Sequence, residues 1–355
     1  MILAGKKKYF FIALRFLLCL FLVNCKSSSE LKKITIEGPT MGTKYRIVVK
    51  TDKNIKSETI SNKIEEILKA VNNQMSTYIP HSEISKFNIS NQDGFSMKIS
   101  EEFFSVLEKS FFYNEKSYGK FDITVNSLYE LWRFKNKTSE FYNKEPSLIE
   151  VDSTLDFIGM DKIQLDSKRK MISKTYGEVS IDLSAIAKGY AVDKISDYLK
   201  SQGYDNFFVD IGGEIKVGSA YGEFWEIGIQ YPDHRRIGDA VKMVRLSNNS
   251  LATSGNYANF INYLDSNKDR THIIDPETGY PLEIKEGIIA SASVIANDCV
   301  DADALATILM LLDKKRGLEL IESLENVEAY VTYFKDDKLY FDQSSGFEKY
   351  TVTGN

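Results

Sequence analysis

The chain has 355 residues, of which 43% are hydrophobic and 27% are charged. These values are ordinary for a globular protein, and the length allows one large domain or two modest ones. Its 45 basic and 50 acidic side chains give a formal net charge of -5. Because no strongly basic field is available to attract phosphates, the composition argues against nucleic acid as a partner.

The first 25 residues differ in character from the rest. Lys6, Lys7 and Lys8 precede an apolar run at 16–23, which is too short to cross a bilayer about 30 Å thick as a helix. The segment ends at Cys25 and resembles a bacterial lipoprotein signal. We therefore expect a signal peptide at 1–25, lipidation of Cys25, a tether at 26–35, and attachment to a bacterial membrane on its periplasmic side. The alternative is an uncleaved apolar anchor with an incidental cysteine.

Only Cys299 remains in the chain beyond this segment. A single thiol cannot form an intramolecular disulfide, so the fold has to be stabilised by its core. The neighbours of Cys299 are Asp298 and an apolar stretch, and we interpret it as a structural thiol rather than a catalytic one.

Helices and strands are predicted in an irregular order along the chain. Apolar residues spaced three and four apart predict a helix at 57–71. Bulky apolar content predicts helices at 101–118 and 301–312, and Gly203 marks the end of a helix predicted at 190–202. Alternating, β-branched or aromatic runs predict strands at 44–49, 206–211, 225–230, 241–246 and 288–295, and a closing hairpin at 328–341. The charged stretch 135–147 is predicted to be a surface loop. Because strands and helices do not alternate regularly, the fold class is predicted to be α+β.

Two early segments place small or polar residues beside apolar ones. The first, 38–43, predicts a turn with free backbone donors before a strand, and a plain turn explains it without any ligand. The second, 75–88, contains Tyr78, whose aromatic face is suited to stacking on a flat heterocycle. In the same segment, Ser82 could cap a short helix.

Two further segments contain candidate ligand-binding groups. In 121–126, Asp122 interrupts an apolar run that we interpret as a strand, so its carboxylate is either hydrogen-bonded or turned toward a ligand. In 181–191, small residues permit close backbone approach, and a loop enters a helix whose N-terminus favours anions. Lys188 could meet a phosphate there as a point charge. The glycine spacing is not that of a Walker loop.

The segment 301–307 opens the apolar helix with acidic residues. Asp303 and Thr307 are four residues apart and share one helix face. A carboxylate and a hydroxyl, joined by a loop carbonyl and phosphate oxygens, suit Mg²⁺. The alternative is that an acid here only complements the helix dipole.

Eight short motifs in a fixed order make the strongest pattern in the sequence. They are Gly-Pro-Thr-Met-Gly-Thr (38–43), Met-Ser-Thr-Tyr (75–78), Phe-Asp-Ile-Thr-Val (121–125), Asp-Leu-Ser-Ala-Ile-Ala-Lys-Gly-Tyr-Ala-Val-Asp (182–193), Asp-Ile-Gly-Gly-Glu (210–214), Ala-Thr-Ser-Gly-Asn-Tyr (252–257), His-Ile-Ile-Asp-Pro-Glu-Thr-Gly (272–279) and Asp-Ala-Leu-Ala-Thr (303–307). This series closely resembles the ApbE family of FAD:protein FMN transferases. The resemblance extends from about residue 38 to 312.

The resemblance implies a fold and a set of site residues. It implies an ApbE-like α+β domain at 36–350, with mixed sheets and helices in two lobes and FAD in the cleft between them. The residues matched to FAD binding are Met41, Tyr78, Lys120, Phe121, Asp122, Asp182, Lys188, His272 and Ile273. Those matched to Mg²⁺ binding are Ala185, through its carbonyl, together with Asp303 and Thr307.

The resemblance also implies the reaction. FMN would pass from FAD to a Thr or Ser hydroxyl of a target protein, with release of AMP. Typical acceptors in the family are subunits of Nqr-type or Rnf-type membrane electron-transfer complexes. His272 and Asp182 are the candidate proton acceptors, although a structural role for His272 is an equal alternative. The alternative functions are an FAD pyrophosphatase and a non-catalytic FAD-binding lipoprotein.

Overall fold

The computed structural model describes residues 31–352, except for 55, 136, 140, 221, 237 and 258. The predicted signal peptide and the lipidation site at Cys25 lie outside these residues. The first described strand begins at Lys32, so residues 32–35 of the expected tether belong to a sheet. No helix within the described part of the chain has the length and apolar character needed to cross a membrane.

The described residues form strands and helices in an irregular order. The strands are β1 (Lys32–Thr40), β2 (Thr43–Thr51), β3 (Ser96–Lys98), β4 (Phe141–Tyr142), β5 (Ile163–Asp166), β6 (Met171–Lys174), β7 (Phe207–Ile211), β8 (Glu214–Gly218), β9 (Trp225–Gln230), β10 (Ala240–Leu246), β11 (Ser250–Gly255), β12 (Phe260–Tyr263), β13 (Lys268–Ile274), β14 (Pro281–Glu283), β15 (Ile289–Ala296), β16 (Glu328–Lys335) and β17 (Lys338–Gln343). The helices are α1 (Ser57–Met75), α2 (Glu83–Asn88), α3 (Glu101–Lys116), α4 (Asn126–Leu131), α5 (Leu148–Leu155), α6 (Ala187–Ser201), α7 (Cys299–Leu311) and α8 (Lys314–Glu322).

An eight-stranded antiparallel sheet forms the centre of the molecule. Its strand order is β1-β2-β7-β8-β11-β15-β16-β17. Successive side chains of a strand point to opposite faces, and the core divides accordingly. Ala252 of β11 packs in the large cluster with α1, α3, α6 and α7. The preceding residue, Leu251, packs in a separate cluster with β9 and β10. The sheet is therefore covered by helices on one face and by a β-hairpin on part of the other.

A smaller lobe is built on the four-stranded sheet β14-β13-β12-β4. Its own core contains Leu128, Trp132 and Tyr263. The Trp132 indole donates to the carbonyl of Gly279 at 2.8 Å, and the Tyr263 hydroxyl donates to the Trp132 carbonyl at 2.9 Å. Because these polar groups are paired inside the core, they hold α4 against the turn that follows β13.

Most predicted elements are present with small shifts of their ends. The α+β class is confirmed, β9 has the predicted bounds, and the closing hairpin is present as β16 and β17. Helix α6 begins three residues earlier than predicted, at Ala187. Ser82 caps α2 by accepting a hydrogen bond from the Ser85 amide at 3.1 Å. The Cys299 side chain is buried, and burial raises the pKa of its thiol, in agreement with a structural role.

Two local predictions were wrong. The segment 121–126 is a turn leading into α4 rather than a strand, because the amide and hydroxyl of Thr124 donate to Asp122 Oδ1 at 2.7 and 2.6 Å. Such a side-chain bond competes with sheet formation. The predicted turn at 38–43 is also shorter than expected. Its first three residues belong to β1, and only Met41 and Gly42 turn the chain, with φ of 47° and 73°.

Candidate functional site

A cleft of about 470 Å³ lies between the helix-covered side of the central sheet and the smaller lobe. This volume falls within the range of small-molecule sites, roughly 300–1,000 Å³. The cleft brings together almost all of the residues predicted from sequence, which come from distant parts of the chain. Those that line it are Met41, Lys120, Phe121, Asp122, Asp182, Ala185, Lys188, His272, Ile273, Asp303 and Thr307.

Tyr78 is the one predicted site residue outside this lining. It is 66% exposed. Partial burial of its hydroxyl, and then the charge of Asp182, raise the pKa of Tyr78 above its usual value. Because Asp182 lines the cleft, Tyr78 lies at the cleft's rim, where an aromatic ring could cover a ligand rather than hold it from within.

The floor of the cleft is formed where α6 and α7 touch at Gly189. The Gly189 amide donates to Asp303 Oδ2 at 2.9 Å. A Cβ atom at Gly189 would lie 2.4 Å from the carbonyl oxygen of Cys299 and 2.8 Å from the Cβ of Asp303. Both distances are shorter than van der Waals contact, so glycine is needed here for the two helices to approach and for Asp303 to reach the floor.

A buried charge cluster fixes the start of α7. Asp193 of α6 accepts hydrogen bonds from the amides of Cys299 and Val300 at 3.0 and 2.9 Å. These amides have no partner within their own helix, so Asp193 acts as a cap supplied by another element. Lys216 pairs with Asp193 at 2.7 Å and with Asp298 at 2.8 Å. Because the cluster anchors the N-terminus of α7 to α6, it also fixes where Asp303 and Thr307 of α7 lie relative to α6.

Lys188 pairs with one buried acid and is within electrostatic reach of a second. Its Nζ is 2.5 Å from Oε2 of Glu214, whose side chain is 3% exposed. Burial on its own would lower the pKa of Lys188, but the charges of Glu214 and Asp303 outweigh burial and raise it. Burial raises the pKa of Glu214 and of Asp303, and Lys188 opposes that rise in both. Lys188 is thus a retained positive charge at the floor of the cleft.

The predicted metal ligands have the oxygen chemistry that Mg²⁺ prefers. Asp303 is 3% exposed, and its Oδ1 makes no hydrogen bond to the described residues, whereas Oδ2 is occupied by Gly189. The Thr307 hydroxyl lies 3.2 Å from that of Ser254. Within the described ranges, no group of three or more His, Cys, Asp and Glu side chains could hold a metal ion. The donor set therefore fits a cation that takes few protein ligands and completes its shell with phosphate oxygens.

The loop that carries Asp182 and Ala185 is fixed by hydrogen bonds at several points. Asn88 accepts from the Ile181 amide at 2.8 Å and donates to its carbonyl at 2.7 Å. The Asp182 amide donates to the carbonyl of Ile123 at 2.8 Å, and Asp182 Oδ1 accepts from the Ser184 amide at 2.8 Å. These bonds hold the loop beside the 121–126 turn and direct it into α6.

Lys120 joins the two walls of the cleft. Its ammonium group is 2.8 Å from Asp275 Oδ1 and 2.8 Å from Glu277 Oε2. Burial would lower the pKa of Lys120, but these two partners raise it. The ion pairs connect the segment before the 121–126 turn to the turn after β13, so Lys120 contributes to the shape of the cleft as well as to its charge.

His272 is held as a neutral ring. Its Nδ1 lies 3.1 Å from the carbonyl oxygen of Asn259. Because a carbonyl can only accept, Nδ1 carries the proton and Nε2 keeps a free lone pair. Burial lowers the pKa of His272 from 6.5 to about 4. The ring is therefore neutral at physiological pH and can accept a proton at Nε2.

Sequence reasoning assigned no sharp role to several residues that line the cleft. They include Tyr129, Glu214, Thr253, Ser254, Tyr257 and Asn259. Two of the quoted motifs contained a signal, because 210–214 and 252–257 lie partly in the cleft. Gly212 and Gly213, with φ of 66° and 104°, turn the chain between β7 and β8 and direct Glu214 to the floor. Tyr129 and Asn259 lie outside all of the motifs and could not have been found from them.

The fold and the cleft define a two-lobed α+β protein whose cleft is lined by acidic, basic and hydroxyl side chains. The model of the ApbE family matches residues 41–331. The chain is 35% identical to a protein of Haemophilus influenzae named FAD:protein FMN transferase, over 91% of this chain and 93% of that one. A protein of Vibrio cholerae with the same name is 32% identical, over 93% and 96% of the two chains.

Solved structures agree with this match. The flavin transferase ApbE from Vibrio cholerae superposes with a TM-score of 0.79 at 31% identity, covering 90% of this chain and 99% of that one. The flavinyl transferase ApbE from Pseudomonas stutzeri, in its apo form, gives a TM-score of 0.79 at 26% identity, covering 92% and 98%. The chain belongs to the ApbE family.

Proposed function

We propose that the protein is an FAD:protein FMN transferase. The observation that carries the proposal is the convergence of Lys188, Asp303 and Thr307 with Asp182 and His272 in one cleft. Around the same space, Lys188 supplies a fixed positive charge, Asp303 an open carboxylate oxygen and His272 a neutral base. The names of the Haemophilus and Vibrio relatives describe the same activity.

In the proposed reaction, a Thr or Ser hydroxyl of the acceptor attacks the FMN phosphorus of FAD. A new P–O bond forms, the bond from this phosphorus to the bridging oxygen breaks, and AMP leaves with that oxygen. Phosphoryl transfer requires a protein mainly to position the partners and to stabilise charge. Lys188, which is held at the floor by Glu214, would face the negative charge of the pyrophosphate.

Asp303, Thr307 and the Ala185 carbonyl would hold Mg²⁺, on the strength of the donor set described above. The cation would neutralise the pyrophosphate oxygens and stabilise the leaving phosphate. The residues themselves are held independently of any metal, because Gly189 fixes Asp303 and Ser254 contacts Thr307.

The hydroxyl proton needs an acceptor, for which His272 and Asp182 are the candidates. His272 is favoured because the Asn259 carbonyl holds its proton on Nδ1 and leaves Nε2 free. Asp182 already uses Oδ1 to accept from the Ser184 amide, so it is better suited to orienting the loop and the ligand. The remaining flavin contacts are assigned to Met41, Tyr78 and residues 120–122, with Ile273 on the smaller lobe.

The acceptor and the location of the protein follow from the family resemblance and the N-terminal sequence. We assign the acceptor to subunits of Nqr-type or Rnf-type membrane complexes. We also assign the mature chain to a bacterial membrane surface, attached through a lipid on Cys25 and facing the periplasm. Both assignments suit each other, because a lipid anchor would keep the enzyme near membrane-bound acceptors.

The second candidate function is FAD hydrolysis, in which water takes the place of the acceptor hydroxyl. The soluble domain, which is the chain from Lys26 onward, would be incubated with FAD and MgCl₂, with and without a flavin-acceptor subunit, while AMP and free FMN are followed. A transferase releases AMP in proportion to modified acceptor and forms little free FMN. Equal amounts of AMP and free FMN, unchanged by the acceptor, would instead identify a pyrophosphatase.

Asp303 is the charged ligand in the proposed metal site, and its charge can be removed without changing its shape. Asp303→Asn keeps the shape of the side chain but removes the charge next to the open oxygen. We expect transfer to fall at least about a hundredfold, since the change removes a charged ligand of the cation and its stabilisation of the pyrophosphate. EDTA should abolish wild-type activity in the same assay. Full activity of the variant, or activity that resists EDTA, would contradict the metal assignment.

A further inference from the structure

Glu214 is a buried acid in the cleft to which the proposed reaction assigns no step. It is 2% exposed and follows directly on the two-glycine turn between β7 and β8. Its Oε2 makes no hydrogen bond of good geometry to the described residues. The contact that compensates this oxygen is the ion pair with Lys188 Nζ at 2.5 Å. A buried carboxylate with so few partners in the fold has a high desolvation cost, so a functional reason for it is worth seeking.

The floor of the cleft contains two acids and one lysine. The charge of Asp303, after that of Glu214, contributes to the raised pKa of Lys188, so both acids lie within electrostatic reach of the ammonium group. The structure places the close contact on Glu214. Asp303 instead gives one oxygen to the Gly189 amide and makes no hydrogen bond through the other to the part of the chain described here.

The acid with which Lys188 pairs affects how a cation can bind to Asp303. In a site of low dielectric, an ammonium group and a divalent cation compete strongly for the same carboxylate. If Lys188 paired with Asp303, the open oxygen of Asp303 would be neutralised before a metal arrived. With Glu214 in place, the lysine has a nearer carboxylate and Asp303 keeps its charge.

We propose that Glu214 is a positioning residue that holds Lys188 away from Asp303 and so keeps Asp303 open to a divalent cation. The inference deepens the proposed function and rests on it, because it takes Asp303 as a metal ligand. Glu214 would act through Lys188 and would itself contact neither metal nor flavin.

The test uses Mn²⁺, which takes the same oxygen ligands and is detected by EPR. Binding of Mn²⁺ to the soluble domain would be measured with FAD present and acceptor absent, for wild type and for Glu214→Gln. Residues that orient a metal ligand change metal affinity by about 10- to 100-fold when mutated, and we expect a loss of this size. FAD affinity in EDTA is measured for both proteins, so that Mn²⁺ binding is compared at saturating FAD.

A double-mutant cycle separates this role from a merely structural one. In a Lys188→Met background no ammonium group competes for Asp303, so Glu214→Gln should then change Mn²⁺ affinity by less than about threefold. An equal loss in both backgrounds would overturn the proposal, since Glu214 would then act without Lys188. Unchanged Mn²⁺ affinity of the single Glu214→Gln variant would overturn it as well.

Glu214→Asp covers the case in which the glutamine variant does not fold. It retains the negative charge on a shorter side chain that holds Lys188 less closely, and we expect a loss of Mn²⁺ affinity that disappears in the Lys188→Met background. A loss that persists in that background would overturn the proposal. Wild-type protein that binds no Mn²⁺ would overturn this proposal together with the metal site of the proposed function. Failure of transfer to an acceptor, with Mn²⁺ binding intact, would count only against the proposed function.

Discussion

At the scale of single residues, the hydrogen bond between His272 and the Asn259 carbonyl decides which ring nitrogen can accept a proton. Burial keeps the ring neutral, and a bound pyrophosphate would favour the protonated form by its opposite charge. Such a histidine is uncharged in the free protein and becomes a stronger base once an anionic substrate is bound. The neutral state of the ring in the free protein and its role as a base can be tested separately.

His272→Gln removes the base and keeps a polar side chain of similar reach. We expect the rate of transfer at saturating FAD to fall by about 10²- to 10⁴-fold, the usual contribution of a general base. FAD affinity should fall far less than the rate, because Gln keeps a polar side chain of similar reach in the cleft and the other flavin contacts remain. Stopped assays with labelled FAD and equilibrium dialysis would give the two quantities. A variant with weakened FAD binding and an unchanged rate would show that His272 only shapes the cleft.

The low pKa of His272 also predicts how stability depends on pH. The pKa is about 4 in the folded state against 6.5 as the ordinary value, so the unfolded chain binds more protons between these limits. The contribution to stability is fully present above about pH 6.5 and is lost as pH falls toward 4, by at most about 1.4 kcal/mol per pH unit. Urea unfolding of wild type and His272→Gln from pH 7 to pH 5 should show a greater loss of stability with falling pH in the wild type, because the other titrating groups are common to both proteins. Parallel curves would contradict the assignment.

At the scale of elements, the contact of α6 with α7 positions the charged residues at the floor of the cleft. The segment 181–191 predicted close backbone approach, and the structure shows that Gly189 within it, together with Asp193 beyond it, serves this contact. The sequence predicted both helices within a few residues, because α7 is a strongly apolar run and Gly203 marks the end of α6. The 121–126 turn could not be predicted in the same way, since its β-branched residues favour a strand and only the Asp122 side chain reverses that preference.

Gly189→Ala tests the helix contact directly. The new methyl group would lie 2.4 Å from the Cys299 carbonyl oxygen, so α6 and α7 have to move apart. We expect the free energy of unfolding to fall by about 1–3 kcal/mol, together with a loss of Mn²⁺ affinity. Asp197→Ala, at an exposed position of α6, is the matched control and should stay within about 0.5 kcal/mol of wild type. A stable Gly189→Ala variant with normal metal binding would contradict the role given to this contact.

At the scale of the whole molecule, the family resemblance predicted the cleft residues better than local patterns did. The motifs are far apart in sequence, and composition or periodicity alone could not place Lys120 against Asp275 or Lys188 against Glu214. Those pairs depend on the order of strands in the central sheet and on the packing of the smaller lobe. The pairing and the burial of these charged residues could therefore be described only from the folded structure.

The N-terminal segment gives a prediction at the same scale. If Cys25 carries the lipid, Cys25→Ser should move the protein from the membrane fraction to the soluble fraction of the producing cells, since the anchor is lost. The activity of the purified variant toward a soluble acceptor domain should equal that of the wild type. Retention of the variant in the membrane would favour an uncleaved apolar anchor instead.

The central claim is that the cleft transfers FMN to a protein hydroxyl. The most direct measurement is the intact mass of a flavin-acceptor subunit after incubation with the soluble domain, FAD and MgCl₂, beside the same subunit with its acceptor Thr or Ser changed to Ala. We expect a gain of one FMN on the first subunit, none on the second, and AMP equal to the FMN bound. An unmodified acceptor, with FAD left intact or split to free FMN, would contradict it.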